Sequence, residues 1–126
     1  MRHPTPEADL FRWWRAALAD PRTPRTEGDP QCGYFTRRYY RGGPLQPVRI
    51  YMHQETDPET GELTADEVLM AEENGWPKNP WAIWTQVRPV TLEQYEALTD
   101  RHRTDDRMAA SHTAYDVSET PMRPGG

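Results

Sequence analysis

Residues 34–53, YFTRRYYRGGPLQPVRIYMH, constrain the fold more than any other stretch. Two β-prone runs, 34–41 and 48–53, flank Gly42-Gly43-Pro44, which predicts an antiparallel hairpin with a loop longer than two residues. Alternation puts Val48, Ile50 and Met52 on one face of the second run, matched by Phe35 and Tyr39 from the first. Arg37 then falls at the edge of the buried side, an awkward place that a β-bulge would relieve.

Helices are predicted around this hairpin. Pro6 suits a first helical position, and Glu7 and Asp9 complement the dipole. Leu10, Trp13, Trp14, Ala17 and Leu18 then form an apolar stripe, giving a helix over 6–19 stopped by Asp20-Pro21. Residues 21–33 form an aperiodic connector rich in Pro and Gly. The stretch 57–63, DPETGEL, reads as a turn, with Gly61 free to take positive φ. Thr64 and Glu67 make a capping box for a helix over 65–74, ended by Asn74-Gly75. Residues 76–90 hold three Trp between prolines, with a short strand expected near 82–87. A second capping box, Thr91 with Gln94, opens a helix over 92–104 whose buried stripe is Leu92, Tyr95 and Leu98.

The expected fold is therefore α+β: a small single domain over 1–108, with a hairpin or small sheet packed against about three helices, and a flexible tail over 109–126. Its core must be aromatic. Leu, Ile, Val and Phe number only 16 of 126 residues, too few for an ordinary aliphatic interior, whereas five Trp and six Tyr each offer large apolar area. Trp76, Trp81 and Trp84 are read as core; if exposed, they become interface anchors.

Charge is segmented. The first 49 residues carry a net of +4, residues 50–77 carry eight acids and no Lys or Arg, and residues 78–126 carry a net of −1. Arg outnumbers Lys fourteen to one, as a GC-rich coding genome would produce. The single cysteine, Cys32, rules out an intrachain disulfide, and no signal peptide or apolar span is evident, so the expected compartment is the cytoplasm.

The strings GYFTRRYYRGGPLQPVRIY, DPETGELTADE, NGWPKNPW and PVTLEQYEAL, together spanning about 33–98, resemble a family of small uncharacterised proteins encoded in phages and prophages of GC-rich proteobacteria. The resemblance implies a phage-related origin and transfers no site. Small accessory proteins of that kind act by binding host or defence machinery, so it favours a binding role.

Catalytic chemistry finds no recognisable motif: the expectation is a non-enzyme with no cofactor and no metal, with a small enzyme of unknown class as the third reading after the two binding roles below. His3, His53, His102 and His112 are scattered without ligand spacing. The segment DPETGELTADE lacks the alternating acids and central Gly of a calcium-binding EF-hand loop. Cys32 has no activating base nearby in sequence and reads as an inert thiol. Two binding surfaces remain. The first is an acidic patch of Glu55, Asp57, Glu59, Glu62, Asp66, Glu67, Glu72 and Glu73, which predicts a basic, nucleic-acid-handling host or defence protein as partner. The role implied is that of an anti-CRISPR or other anti-defence inhibitor. The alternative is a nucleic-acid interface on the outer hairpin face, where Tyr34, Arg38, Tyr40, Arg49, Tyr51 and His53 would stack bases and hold phosphates. The same residues also suit an exposed strand surface making cross-strand pairs.

Overall fold

The hairpin forms the middle of a five-stranded antiparallel sheet in the computed structural model, which describes residues 2–38 and 40–103. The strands are β1 (Gly33–Arg38), β2 (Leu45–His53), β3 (Val68–Glu73), β4 (Trp76–Lys78) and β5 (Arg88–Pro89), in the order β4-β3-β2-β1-β5. Helices α1 (Glu7–Leu10), α2 (Arg12–Ala19) and α3 (Pro80–Ile83), a 3-10 turn over Trp84–Gln86, and α4 (residues 92–103) complete a small α+β domain. No helix among the described residues is long and apolar enough to cross a membrane. Tyr39, the predicted tail 109–126 and His112 lie outside the described residues.

Register follows the predicted alternation. Phe35 pairs with Val48 and Gly33 with Ile50, and Phe35, Val48 and Ile50 are fully buried. Met52 shares their side of the sheet opposite Leu69, and is half-buried. Arg37 does fall on this face, and no bulge relieves it. Its guanidinium instead meets the buried carboxylate of Glu73 at 2.6 Å and donates to Gln86 at 2.8 Å. The predicted strand 34–41 ends at Arg38, and β2 begins earlier than expected, at Leu45.

The aromatic core is real. Trp13 stacks near-parallel on Phe35 and meets Trp84 edge-on, at centroid distances of 6.4 and 5.1 Å. Each such pair adds roughly 0.5–1.5 kcal/mol beyond area burial. Trp14 packs closely against Gly33, where a Cβ would stand 2.6 Å from the indole, so only glycine admits this packing. The indole N–H groups of these three tryptophans are all used: Trp13 donates to Pro24 O, Trp14 to Tyr34 O and Val90 O, and Trp84 to Thr26 O. Two of these bonds tie down the 21–33 connector, which carries no periodic signal of its own. The predicted helix 6–19 is interrupted at Phe11, whose φ of −98° and ψ of 11° separate α1 from α2. The break lets Phe11 pack edge-on against both Trp14 and Tyr34.

Two expectations are corrected. Residues 65–74 contain no helix: Val68–Glu73 is a strand paired along its whole length with β2. Leu, Met, Ala and Glu favour helix intrinsically, and tertiary pairing overrides that weak preference. Asn74 and Gly75, with φ of 51° and 86°, form a tight β-turn into β4, where two positive φ values match the twist of a two-residue hairpin. Residues 82–87 are not a strand but the end of α3 and the 3-10 turn, with β5 following at Arg88. The second capping box stands as predicted: Thr91 N donates to Gln94 Oε1 at 2.9 Å, and Gln94 N to Thr91 Oγ1 at 3.1 Å. On α4, Leu98 is buried and Tyr95 half-buried, but Leu92 is 41% exposed.

Candidate functional site

The eight acids of the predicted patch divide by strand geometry. Glu72 and Glu73 are neighbours in β3, so their side chains leave opposite faces of the sheet. Glu73 is fully buried against Arg37, with Lys78 Nζ 4.0 Å away, while its Oε2 makes no hydrogen bond. Glu72 Oε1 stands 3.4 Å from Arg49 Nε without hydrogen-bond alignment. Asp66 is paired with Arg2 at 2.5 Å. Glu67, expected to cap a helix, accepts bonds from the Thr5 amide, the Thr5 hydroxyl and Gln54 Nε2. Those bonds, the Thr5 amide first, hold its carboxyl below the usual glutamate range.

Glu55, Asp57, Glu59 and Glu62 remain, all on one turn. The β2–β3 ladder ends at His53↔Val68, and cross-strand bonding resumes beyond it: Thr64 N to Glu55 O at 2.8 Å, a Thr56↔Leu63 bridge, and Asp57 N to Glu62 O at 2.9 Å. Gly61 closes the turn with φ of 75°, as the sequence predicts. β1 stops pairing at Ile50, so this acidic tip continues the hairpin past its neighbouring strand. The N-terminal segment braces it, Arg2 O accepting from Leu63 N at 2.9 Å. Two basic groups stand beside it: His53, whose Nε2 is 3.3 Å from Glu55, and Arg2, whose guanidinium is paired with Asp66.

The alternative set on the outer hairpin face does not form one open surface. Tyr34 is half-buried among Phe11, Trp14 and Tyr95, with the Tyr95 ring 4.9 Å away on α4. Burial there pushes the Tyr95 hydroxyl above its usual pKa, with Glu72 adding to the shift. The Arg49 guanidinium sits 4.0 Å over the Tyr51 ring, and Arg38 donates to Gly43 O. Tyr40, 65% exposed, lies in the loop after β1, and His53, also exposed, stands at the far end of β2 beside Glu55.

Cys32 is buried, and burial, with the nearby Glu67 carboxylate, pushes its thiol up to about 11. It is therefore protonated at neutral pH and not poised as a nucleophile. No group of His, Cys, Asp or Glu among the described residues could hold a metal ion. The three Trp of residues 76–90 divide: Trp84 is core, whereas Trp76 and Trp81 are 70% and 56% exposed. Sequence reasoning had no means of finding one further grouping. Arg25, from the connector, and Arg88, from β5, line one cleft beside Trp13, although 63 positions separate them.

No protein-family model matches the chain, and neither a curated protein nor a solved structure shows significant similarity to it.

Proposed function

We propose that this chain is a non-catalytic accessory protein of phage or prophage type, acting in the bacterial cytoplasm. It docks through the acidic tip of the β2–β3 hairpin onto a basic, nucleic-acid-handling host or defence protein, as an anti-CRISPR or other anti-defence inhibitor would. The observation that carries the reading is the set Glu55, Asp57, Glu59 and Glu62, held on a hydrogen-bonded turn that contains no Lys or Arg. A field of one sign on an ordered element speeds encounter with a complementary surface and selects among partners. Ordering the turn in advance also lowers the entropy lost on docking. The phage-family resemblance supplies the biological setting.

The reading differs from the sequence expectation in its footprint. Asp66, Glu67, Glu72 and Glu73 are committed to contacts within the molecule and leave the docking set. The test is reversal of Glu55, Asp57, Glu59 and Glu62 to Lys, followed by affinity capture from the native host at physiological salt. A protein retained by wild type and lost from the variant is the expected result. Equal capture by both rejects the acidic tip as the docking element.

A further inference from the structure

A cleft of about 420 Å³ opens beside α2 and β5, walled by Trp13, Leu18, Pro21, Arg25, Arg88 and Pro89. Its volume falls in the range of small-molecule sites. Arg25 is fixed within it. One terminal nitrogen donates to Trp84 O at 2.8 Å and Val87 O at 2.9 Å, and the guanidinium lies 4.7 Å from the Trp84 ring centre and 5.4 Å from that of Trp13. Carbonyls and ring faces orient this charge without cancelling it. The Arg88 main chain pairs with Thr36, but its guanidinium makes no hydrogen bond or ion pair with another described residue.

The charge balance of this cleft is unusual for the molecule. No carboxylate among the described residues lines it. Asp20, at the end of α2, is held by Arg22, whose Nε is 3.2 Å from Oδ1. Elsewhere the inward-facing arginine, Arg37, is answered by Glu73. Here two guanidinium groups share a cavity, and burial followed by the like charge of Arg88 pulls Arg25 below its usual pKa. Repulsion between two cations at a cleft is relieved by an anion seated between them. Guanidinium forks match the oxygens of a phosphoryl group in charge and geometry. Trp13 supplies the other half: it is half-buried, held by its bond to Pro24 O, and backed by Phe35.

We propose that this cleft binds a small organic phosphate, its phosphoryl group between Arg25 and Arg88 and a flat apolar portion against Trp13, Leu18 and Pro21. A nucleoside monophosphate has both halves and is the probe of choice. The site shares no residue with the acidic tip, so the two readings stand or fall separately.

The experiment is calorimetric titration of the full chain with adenosine monophosphate, inorganic phosphate and adenosine, with tryptophan fluorescence as a second readout. Adenosine monophosphate is expected to bind saturably at submillimolar concentration, more weakly as salt rises; inorganic phosphate binds less tightly and adenosine not measurably. Arg88→Ala is expected to weaken nucleotide binding roughly tenfold, the scale of one lost charge-assisted pair, while leaving the thermal midpoint unchanged. Arg25 is a poor primary target because it also ties Trp84 and Val87 to the connector. Absence of saturable binding to wild type at millimolar nucleotide overturns the proposal. So does equal affinity in Arg88→Ala, or equal affinity for the nucleotide and for adenosine.

Discussion

Glu62 and Glu73 belong to the same negative stretch of sequence and meet opposite fates. On the turn, Glu62 lies in a hairpin extension that no third strand flanks; in β3, Glu73 is inside the domain with no accessible surface. The difference comes from strand geometry rather than from composition. A two-residue period sends adjacent side chains to opposite faces, so a run of acids entering a sheet cannot remain one patch. A turn imposes no such sorting. Linear charge therefore reports surface charge only where the chain is not paired on both sides.

The strand end of this comparison gives the largest expected effect. Glu73→Ala leaves the largely buried Arg37 guanidinium without its carboxylate, and breaking a buried pair of this kind costs about 3–5 kcal/mol. Urea denaturation measures it. Replacing both partners with apolar residues, Arg37→Met with Glu73→Leu, is expected to recover most of that loss, because two desolvated charges are removed together. A loss below about 1 kcal/mol in the single variant would show that water reaches the carboxylate, contrary to its burial.

The hairpin, its register and the aromatic core were legible because each rests on local alternation or on side-chain size. Phe35, Val48 and Ile50 needed no knowledge of the rest of the chain. The capping box at Thr91 and Gln94 was legible for the same reason. The apparent box at Thr64 and Glu67 was not one, because Thr5, 62 residues away, uses the Glu67 carboxylate instead. Asn74-Gly75 carried two meanings, helix stop and hairpin turn, and strongly helical residues before it favoured the wrong one. Only the unpaired edge of β2 decides between them. The fate of the acids was hidden likewise: Arg2, Arg37 and Arg49 reach their partners through tertiary contact, which no spacing announces. Arg25 and Arg88 line one cleft only because the connector is tied to Trp84 and Val87.

Glu67 stands between the two extremes, partly exposed yet bonded from three sides. Glu67→Ala is expected to cost about 1 kcal/mol, a value reduced for its access to water. Its folded-state pKa lies below the usual range, so its contribution is fully present above about pH 4.3, the unfolded glutamate value, and is lost as pH falls through the lowered folded value. Acid titration of stability should therefore be less steep below about pH 4.3 in the variant than in wild type. Parallel curves would mean that the Thr5 contacts do not persist in solution.

The tip gives the smallest effect on folding and the sharpest separation of folding from binding. Glu55, Asp57, Glu59 and Glu62 accept few bonds that hold the fold; the turn is closed by main-chain bonds, and the one carboxylate bond within it is Glu59 N to Asp57 Oδ1 at 2.8 Å. Glu55 and Glu59 are exposed and Asp57 and Glu62 half-buried, and surface substitutions away from buried pairs typically change stability by no more than about 0.5 kcal/mol each. Changing all four to Gln keeps side chains that still hydrogen-bond while removing four negative charges. The thermal midpoint should stay close to wild type, whereas association with a basic partner should slow and lose its salt dependence. A large fall in midpoint would place these carboxylates among the structural acids and erase the distinction between tip and strand.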